Sequence, residues 1–317
     1  MGFEQLLGNA RLKDNLRQSL KNDHISHFYL ISGPEGSGKR TLARLLAAAA
    51  VCKGTDRPCC TCPACRKILS NAHPDFITVD DPEKKTVSVE LIRQAKADIY
   101  IQPNEADRKI YLFPRAQDMG ISAQNALLKV LEEPPKYGLF LLLTDNPEKL
   151  LPTVRSRCVE LALVSLPEKT LRSALTREFP DAPADAVSAA IARSGGFLGQ
   201  AKAILSGGEA AAPQTEQFAQ CFASRDTLGL VQTLVPMEKL KRDALIDILN
   251  QWLKLLGEAL SSRSGLPAVN PAAKRISLER SPSDIMAATQ KLRKCIEYAQ
   301  GNVSPAAICS YLSWELR

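Results

Sequence analysis

The sequence predicts an α/β chain in which a parallel-sheet domain with a phosphate-binding loop precedes a small helical segment and an all-α C-terminal domain. Short, continuously apolar stretches alternate with helical patterns in the first half of the chain, at 27–32, 75–80, 109–113, 138–144 and 158–163. The first of these stretches runs into a glycine-rich turn that opens a helix. After residue 163 the patterns are helical only. Continuous apolar strands separated by helices are typical of a parallel sheet covered on both faces.

The helical patterns place three domains along the chain. Between the strands, helices are predicted at 41–51, 88–99 and 122–133. Beyond the last strand they are predicted at 166–179, 183–194, 199–205, 215–224, 226–235, 238–262, 283–300 and 305–316. The small, turn-rich stretch 206–214 reads as a linker. We therefore expect a core at 1–164 with a cysteine module at 52–65, a helical lid at 165–207 and a helical domain at 208–317.

Composition narrows the function classes. The 317 residues carry Lys+Arg 41 against Asp+Glu 34, a net charge of +7 that permits a phosphate-bearing partner without requiring one. Aromatic residues make up 5%, which argues against a single-strand binder built on base stacking. No stretch approaches the length of a membrane span and the start has no signal pattern, so a cytoplasmic protein with no membrane partner is expected.

The glycine-rich turn has most of a phosphate-binding loop. Its backbone amides and the following helix N-terminus would face phosphates, and its lysine would meet the terminal phosphate. The candidate nucleotide-binding residues are Gly33, Gly36, Ser37, Gly38, Lys39 and Thr41. The position after the lysine should hold a hydroxyl that ligates Mg²⁺, but Arg40 stands there. Thr41 comes one residue late, and one step along a helix turns a side chain by about 100°.

The acidic half of an ATPase site is also missing. In such enzymes an apolar strand ends in an acid that binds the metal, often followed by a catalytic glutamate. Here the strand 109–113 runs into Pro114 and Arg115, and Asp118 lies too far along to be an obvious substitute. The sequence therefore predicts that the chain does not hydrolyse ATP by itself, while ATP or ADP binding without hydrolysis stays open.

The nine cysteines are unevenly spread, with five of them between 52 and 65, and this clustering favours metal over disulfides. Cys52, Cys59, Cys62 and Cys65 could supply four thiolates to one structural Zn²⁺, since zinc prefers a tetrahedral set of this kind. A redox Cys-x-x-Cys pair is the alternative, but it would be an isolated pair opening a helix after a strand. Cys60 breaks the spacing and is expected not to be a ligand; His73 fits a turn better than a metal site.

A set of motifs resembles the bacterial clamp-loader subunits of DNA polymerase III, the gamma/tau/delta-prime family. The resemblance covers about 5–205 and rests on the Lys39 loop, the four-cysteine insertion, His73-Pro74-Asp75, the stretch 126–135 and Ser156-Arg157-Cys158. It implies an AAA+ (RecA-like) module with a zinc insertion, a helical lid and a collar domain that holds a pentamer. It also implies that Thr144 is the phosphate-sensing polar residue.

An arginine just before the last strand is either solvated surface or a group that reaches a neighbour's phosphate, a task to which a guanidinium is suited. The resemblance implies the second role, with Arg157 as an arginine finger in trans. Pro114-Arg115 in place of two acids, and Gln200 where motor subunits keep an arginine, favour the non-hydrolysing stator, the delta-prime type. The implied partners are gamma/tau and delta subunits in a heteropentamer, the sliding clamp and primer-template DNA.

Two other functions compete with the stator. The first is an ATP-hydrolysing gamma/tau-type motor subunit that uses Thr41 and a displaced acid such as Asp118. The second is a zinc-dependent DNA-binding protein with a degenerate loop, although its basic clusters, at 66–67 and 291–294, are thin.

Overall fold

The computed structural model describes residues 2–81, 84, 86–206, 212–264, 270–301 and 303–316. Contacts divide the chain into two compact units. The first comprises Met1–Leu171 with Gly195–Gln200, and the second Arg172–Ser194 with Ala201–Arg317. No helix within the described ranges has the length and hydropathy needed to cross a bilayer. The boundaries of the three expected domains stay a prediction.

The first unit is built on a five-stranded, all-parallel sheet in the order β2-β3-β4-β1-β5. The strands are β1 (Phe28–Ser32), β2 (Phe76–Thr78), β3 (Lys109–Phe113), β4 (Gly138–Thr144) and β5 (Val159–Ala162). All five lie within the predicted stretches, so the α/β parallel-sheet prediction is confirmed. The strands β1, β3 and β4 are buried along their whole length, as continuous apolar runs require.

Helices cover both faces of this sheet. They are α1 (Ala10–Lys21), α2 (Lys39–Val51), α3 (Pro63–Leu69), α4 (Val89–Asp98), α5 (Ile121–Glu132) and α6 (Pro152–Arg155). Alternate residues of β4 enter separate cores, since Leu141 belongs to the cluster that contains α2 and Phe140 to the one that contains α5. On the second face Phe140 stacks on Phe28 with ring centroids 4.4 Å apart.

Helices α7 (Glu168–Glu178), α8 (Ala184–Arg193) and α9 (Leu198–Leu205) follow the sheet, and the division between units falls within α7 and α9. The predicted linker at 206–214 lies largely outside the described residues. Its end is helical, because α10 starts at Pro213, where a missing N–H costs nothing.

The described residues of the C-terminal part of the second unit form helices joined by short turns, with no strand among them. It contains α10 (Pro213–Ser224), α11 (Thr227–Met237), α12 (Arg242–Arg263), α13 (Pro271–Glu279), α14 (Pro282–Gln300) and α15 (Pro305–Glu315). Its core centres on Trp252, which is fully buried and stacks on Phe218 at a centroid distance of 4.0 Å. Thus the predicted change from a sheet to an all-α C-terminal region is confirmed.

Candidate functional site

The glycine-rich loop joins β1 to α2 at the carboxyl edge of the sheet, where open α/β sheets bind ligands. Gly38 is the N-cap of α2 with φ +98°, and Gly36 has φ +75°, conformations that favour glycine. The backbone of the segment 195–200 approaches the loop closely. The Gly199 amide donates to the Gly36 carbonyl at 2.9 Å, and a Cβ added at Gly36 would lie 2.5 Å from the Gln200 nitrogen.

Lys39 does not point away from its own loop. Its Nζ donates to the carbonyls of Gly33 at 2.5 Å and Pro34 at 3.0 Å, and to the Asp145 carboxylate at 2.6 Å. Its side chain is 11% exposed, against 51% for Asp145. The ammonium that would meet a terminal phosphate therefore has a carboxylate beside it.

The hydroxyls of the loop are placed differently from those of a Mg²⁺-binding loop. Arg40 and Thr41 are both exposed. The Ser37 hydroxyl is buried without a hydrogen-bond partner among the described residues. It precedes the lysine, however, whereas a Mg²⁺-ligating hydroxyl would follow it.

Thr144 ends β4 beside the loop and is fully buried. Its carbonyl accepts from the Gly33 amide at 3.2 Å, and its hydroxyl oxygen accepts from the Asn146 amide at 3.1 Å. The hydroxyl thus shapes the turn that carries Asp145. The structure places Thr144 next to the loop, as the resemblance implies, and its sensing role stays a prediction.

Arg115 occupies the end of β3, where a hydrolysing site would hold acids. Its guanidinium donates to Asp80 from Nε at 3.0 Å and from Nη2 at 2.6 Å, and also to the Asp81 carbonyl at 2.8 Å. The hydrogen bonds with Asp80 raise the pKa of Arg115. Asp118 lies 3.8 Å from the same guanidinium; burial raises the pKa of its carboxyl, and Arg115 opposes that shift. Both nearby acids therefore face a cation of the chain itself.

The four cysteines Cys52, Cys59, Cys62 and Cys65 come together, with all Sγ atoms within 4.8 Å of one another. A tetrahedral Zn²⁺ with Zn–S bonds of about 2.3 Å needs sulfur–sulfur distances of about 3.8 Å, and Cys59 and Cys65 are already 4.0 Å apart. Cys62 is the N-cap of α3 and its Sγ accepts from the Cys65 amide at 3.4 Å. This donor set fits a closed structural metal site.

Local backbone amides stabilise a thiolate in this cluster. Hydrogen bonds from the Thr61 and Cys62 amides lower the pKa of Cys59 to about 5. Burial raises the pKa of Cys65, a shift that a bound cation would reverse. Cys60 is outside the group: its Sγ lies 3.9 Å from the Pro58 carbonyl, and burial raises its pKa.

The His73-Pro74-Asp75 motif is a structural joint in which His73 and Asp75 are buried. The His73 Nδ1 accepts from the Asp75 amide at 3.1 Å, consistent with the turn expected from the sequence. The Asp75 carboxylate accepts from the amides of Asn104 at 2.6 Å, Glu105 at 2.8 Å and Ala106 at 2.9 Å. Burial alone would raise the pKa of Asp75, but these hydrogen bonds outweigh it and lower the pKa. The motif thus anchors the loop that enters β3.

Arg157 follows α6 and lies against the end of α5. Its Nη1 donates to the Thr153 carbonyl at 2.9 Å and its Nη2 to Glu132 at 3.0 Å. Its side chain is 37% exposed and that of Glu132 is 55% exposed. An exposed pair of this kind contributes about 0–1 kcal/mol, so the guanidinium can leave Glu132 at little cost.

Sequence reasoning missed the partners of these charged groups. Asp145 comes directly after the strand residue Thr144, and Asp80 ends the β2 stretch, so both could have been placed at the carboxyl edge of the sheet. Glu132 closes the helix of the 126–135 motif. No periodicity shows that these acids pair with Lys39, Arg115 and Arg157, because each contact joins residues that lie far apart along the chain.

Comparisons with known proteins identify the family to which the first half of the chain is similar. The family model described as DNA polymerase III, delta subunit matches residues 8–167. A DNA polymerase III subunit delta' of Pseudomonas aeruginosa is 37% identical over 177 residues, 54% of this chain and 53% of that protein. A DNA polymerase III subunit tau of Bacillus subtilis is 35% identical over 158 residues, 49% of this chain and 28% of that protein.

The aligned stretch thus spans about half or less of the length of these relatives. A crystal structure of a DNA polymerase III gamma subunit-related protein from Thermotoga maritima aligns over 95% of this chain and 99% of that chain, with 17% identity and a TM-score of 0.49. The family model covers half of the chain, including the loop, the cysteine cluster and the Arg157 motif. The chain therefore belongs to the DNA polymerase III, delta subunit family, among the clamp-loader AAA+ proteins.

Proposed function

We propose that this chain is a non-hydrolysing, delta-prime-type stator subunit of the DNA polymerase III clamp loader. The observation that carries the proposal is Arg115 at the end of β3, held by two hydrogen bonds to Asp80. A phosphoryl-transfer site needs acids that hold Mg²⁺ and orient water. A guanidinium at that place repels the metal and cannot accept a proton.

The loop supports the same function. Arg40 replaces the metal-ligating hydroxyl, and Thr41, one residue late, is exposed. Asp118, an acid displaced along the chain from the expected position, lies 3.8 Å from the Arg115 guanidinium. Three elements of one catalytic site thus depart from the hydrolysing pattern together.

In this function Arg157 acts on a neighbour. It lies on the first unit, partly exposed and held by the weak pair with Glu132. An arginine supplied in trans stabilises the charge on a transferring phosphoryl group. We propose gamma/tau and delta subunits as the partners in a heteropentamer, which places the sliding clamp onto primer-template DNA.

We also propose that Cys52, Cys59, Cys62 and Cys65 hold one structural Zn²⁺. Four thiolates leave no open coordination position, so the ion would fix the connection between α2 and α3 without taking part in chemistry. The amide hydrogen bonds to the Cys59 and Cys62 sulfurs support this assignment, since such outer contacts orient metal ligands.

ATP turnover by the purified full chain tests the central proposal. We expect no Mg²⁺-dependent phosphate release above background, either alone or with primed DNA and sliding clamp. Turnover that scales with this chain and disappears in a Lys39→Ala variant would contradict the stator and favour the gamma/tau-type motor, a function consistent with the 35% identity to a tau subunit.

A second experiment tests Arg157 in the assembled complex. Arg157→Ala should leave the complex intact by size-exclusion chromatography and lower DNA-stimulated ATP hydrolysis by about 10³-fold at the neighbouring site, the lower end of known arginine fingers. Arg155→Ala is the matched control, because Arg155 ends the short helix that Arg157 follows and pairs with Glu148 at 2.8 Å. Equal rates for the two variants would remove the assigned role.

A further inference from the structure

Asp145 is the group that Lys39 meets in place of a phosphate. An ammonium has three donors, and the three acceptors around the Lys39 Nζ are the Gly33 carbonyl at 2.5 Å, the Pro34 carbonyl at 3.0 Å and the Asp145 Oδ1 at 2.6 Å. The donor capacity of the lysine is thereby filled from within the chain. The carboxylate bond is the charged one of the three, and charge-assisted bonds are about twice as strong as neutral ones.

The position of Asp145 is set by the backbone. It follows the last residue of β4, and that strand pairs in register with β1, Ser32 lying opposite Thr144. The Thr144 carbonyl accepts from the Gly33 amide, and the Thr144 hydroxyl accepts from the Asn146 amide. The turn that carries the carboxylate is therefore joined to the loop at Gly33 and held in shape by the Thr144 hydroxyl.

We infer that Asp145 determines what the loop binds: its carboxylate occupies Lys39 and excludes the phosphates of a nucleoside diphosphate or triphosphate. An incoming phosphate would have to replace Asp145 on the ammonium and would then lie beside an uncompensated negative charge. Like charges at so short a distance repel each other strongly, even when solvent partly screens them. This inference concerns nucleotide binding, so it is tested separately from ATP hydrolysis.

A second contact holds the tip of the loop. The Gly36 carbonyl accepts from the Gly199 amide at 2.9 Å, and a Cβ added at Gly199 would lie 2.5 Å from the Gly36 Cα. Two glycines in backbone contact leave no space between these segments. The loop is thus engaged by its own chain at its tip and at its lysine.

Nucleotide affinity of Asp145→Asn tests the inference. The variant keeps the size of the side chain and removes the charge, and Asp145 is half exposed, so the fold should tolerate it. We expect ADP, measured by isothermal titration calorimetry, to bind about 10- to 100-fold more tightly than to the unmodified chain, the range that one charge-assisted bond represents. The gain should persist in EDTA, because Arg40 provides no metal ligand.

Two variants make the result specific. Lys39→Ala combined with Asp145→Asn should lose the gain, since the freed ammonium is what binds the phosphate. Glu148→Gln removes a carboxylate three residues further along, paired with Arg155 rather than with the loop, and should leave ADP affinity unchanged. Asp145→Ser replaces Asp145→Asn if the latter shows a lowered melting temperature.

Unchanged ADP affinity in a folded Asp145 variant would overturn the inference. An equal gain in Glu148→Gln, or a gain that survives Lys39→Ala, would also overturn it, because the effect would then be one of net charge. ATP turnover is scored separately in the same samples. Tighter binding without turnover supports both proposals, and tighter binding with turnover supports this one while contradicting the stator.

Discussion

Asp75→Asn should destabilise the first unit strongly, although it changes only one charge and no volume. The Asp75 side chain is completely buried. Its Oδ1 accepts from the amide and side chain of Asn104, and its Oδ2 accepts from the amides of Glu105 and Ala106. An asparagine offers one acceptor oxygen and one NH₂ group, so whichever way it is turned, a pair of donors loses its acceptor.

The magnitude follows from that pair. Leaving a buried donor unsatisfied costs about 1–3 kcal/mol, so two donors correspond to about 2–6 kcal/mol. Native domains are stable by only about 5–15 kcal/mol. Urea unfolding of the full chain, followed by circular dichroism, should therefore show a much earlier midpoint for the unit that contains Asp75.

The same contact predicts a pH dependence. The unfolded-state pKa of an aspartate is about 3.9, and the pKa of Asp75 in the folded chain is lowered. Its stabilising contribution is therefore complete above about pH 4 and disappears as the pH falls through the folded-state pKa. The stability difference between the unmodified chain and Asp75→Asn should shrink over that acidic range.

Asp107→Asn is the matched control, because it makes the same chemical change in the loop that Asp75 anchors. The Asp107 side chain is 83% exposed and its carboxylate lies 3.6 Å from Lys53, so a change of at most about 0.5 kcal/mol is expected. If Asp75→Asn were no more destabilising than this control, the reasoning that makes the motif a structural joint would be refuted.

Three further predictions concern the metal site and the C-terminal core. Metal analysis should return about one zinc per chain. Cys65→Ser should abolish zinc binding, whereas Cys60→Ser should leave it unchanged. Folded, reduced protein without metal would contradict the site. Trp252→Ala should lower the free energy of unfolding in urea by about 3–5 kcal/mol. Trp252→Phe should lower it much less, because the indole N–H has no hydrogen-bond partner among the described residues. Equal losses for the two variants would refute this prediction. Arg280 is buried, donates from Nε to the Phe222 carbonyl at 2.6 Å and places its guanidinium over the Phe222 ring. Arg280→Ala should therefore lower the melting temperature by several degrees. An unchanged melting temperature would show that this contact does not stabilise the protein.

The sheet was predictable because its strands are buried on both faces. Lys109–Phe113 and Gly138–Thr144 have the bounds expected from the sequence, because turn residues on both sides of an apolar run define where the strand begins and ends. The strand expected at 75–80 is shorter, Phe76–Thr78. Asp75 and Asp80 at its ends direct their side chains to the loop at 104–106 and to Arg115, and no local pattern contains such contacts.

Helix ends were less predictable than helix existence. The sequence places Ser283 and Asp284 at the start of a helix, but α14 starts at Pro282 with Ser281 as its N-cap, accepting from the Asp284 amide. Two serines in that stretch satisfy the same capping rule, and proline at the first helical position selects the earlier one. The helix α1 was not expected at all, because its strongly polar sequence hides a narrow apolar stripe that includes Leu16 and Leu20.

The candidate site was predictable in its residues but not in its pairings. Four cysteines at short spacing must lie close together, so their convergence follows from the sequence. The sequence identifies Lys39 as a remnant of a catalytic site and Arg115 as a departure from one. The structure adds the carboxylate with which each of them pairs. Asp145 meets Lys39 at 2.6 Å and Asp80 meets Arg115 at 2.6 Å, contacts that span 106 and 35 residues.

The cations Lys39, Arg115 and Arg157 differ in how firmly the chain holds them, and this difference separates their roles. The side chain of Lys39 is 11% exposed and that of Arg115 is 24% exposed, each with a carboxylate at 2.6 Å. Arg157 is 37% exposed, and its partner Glu132, at 3.0 Å, is itself 55% exposed. Solvent screening weakens the last pair most. A cation that serves the chain's own site is thus neutralised internally, while the one proposed to serve a neighbour can be released to it.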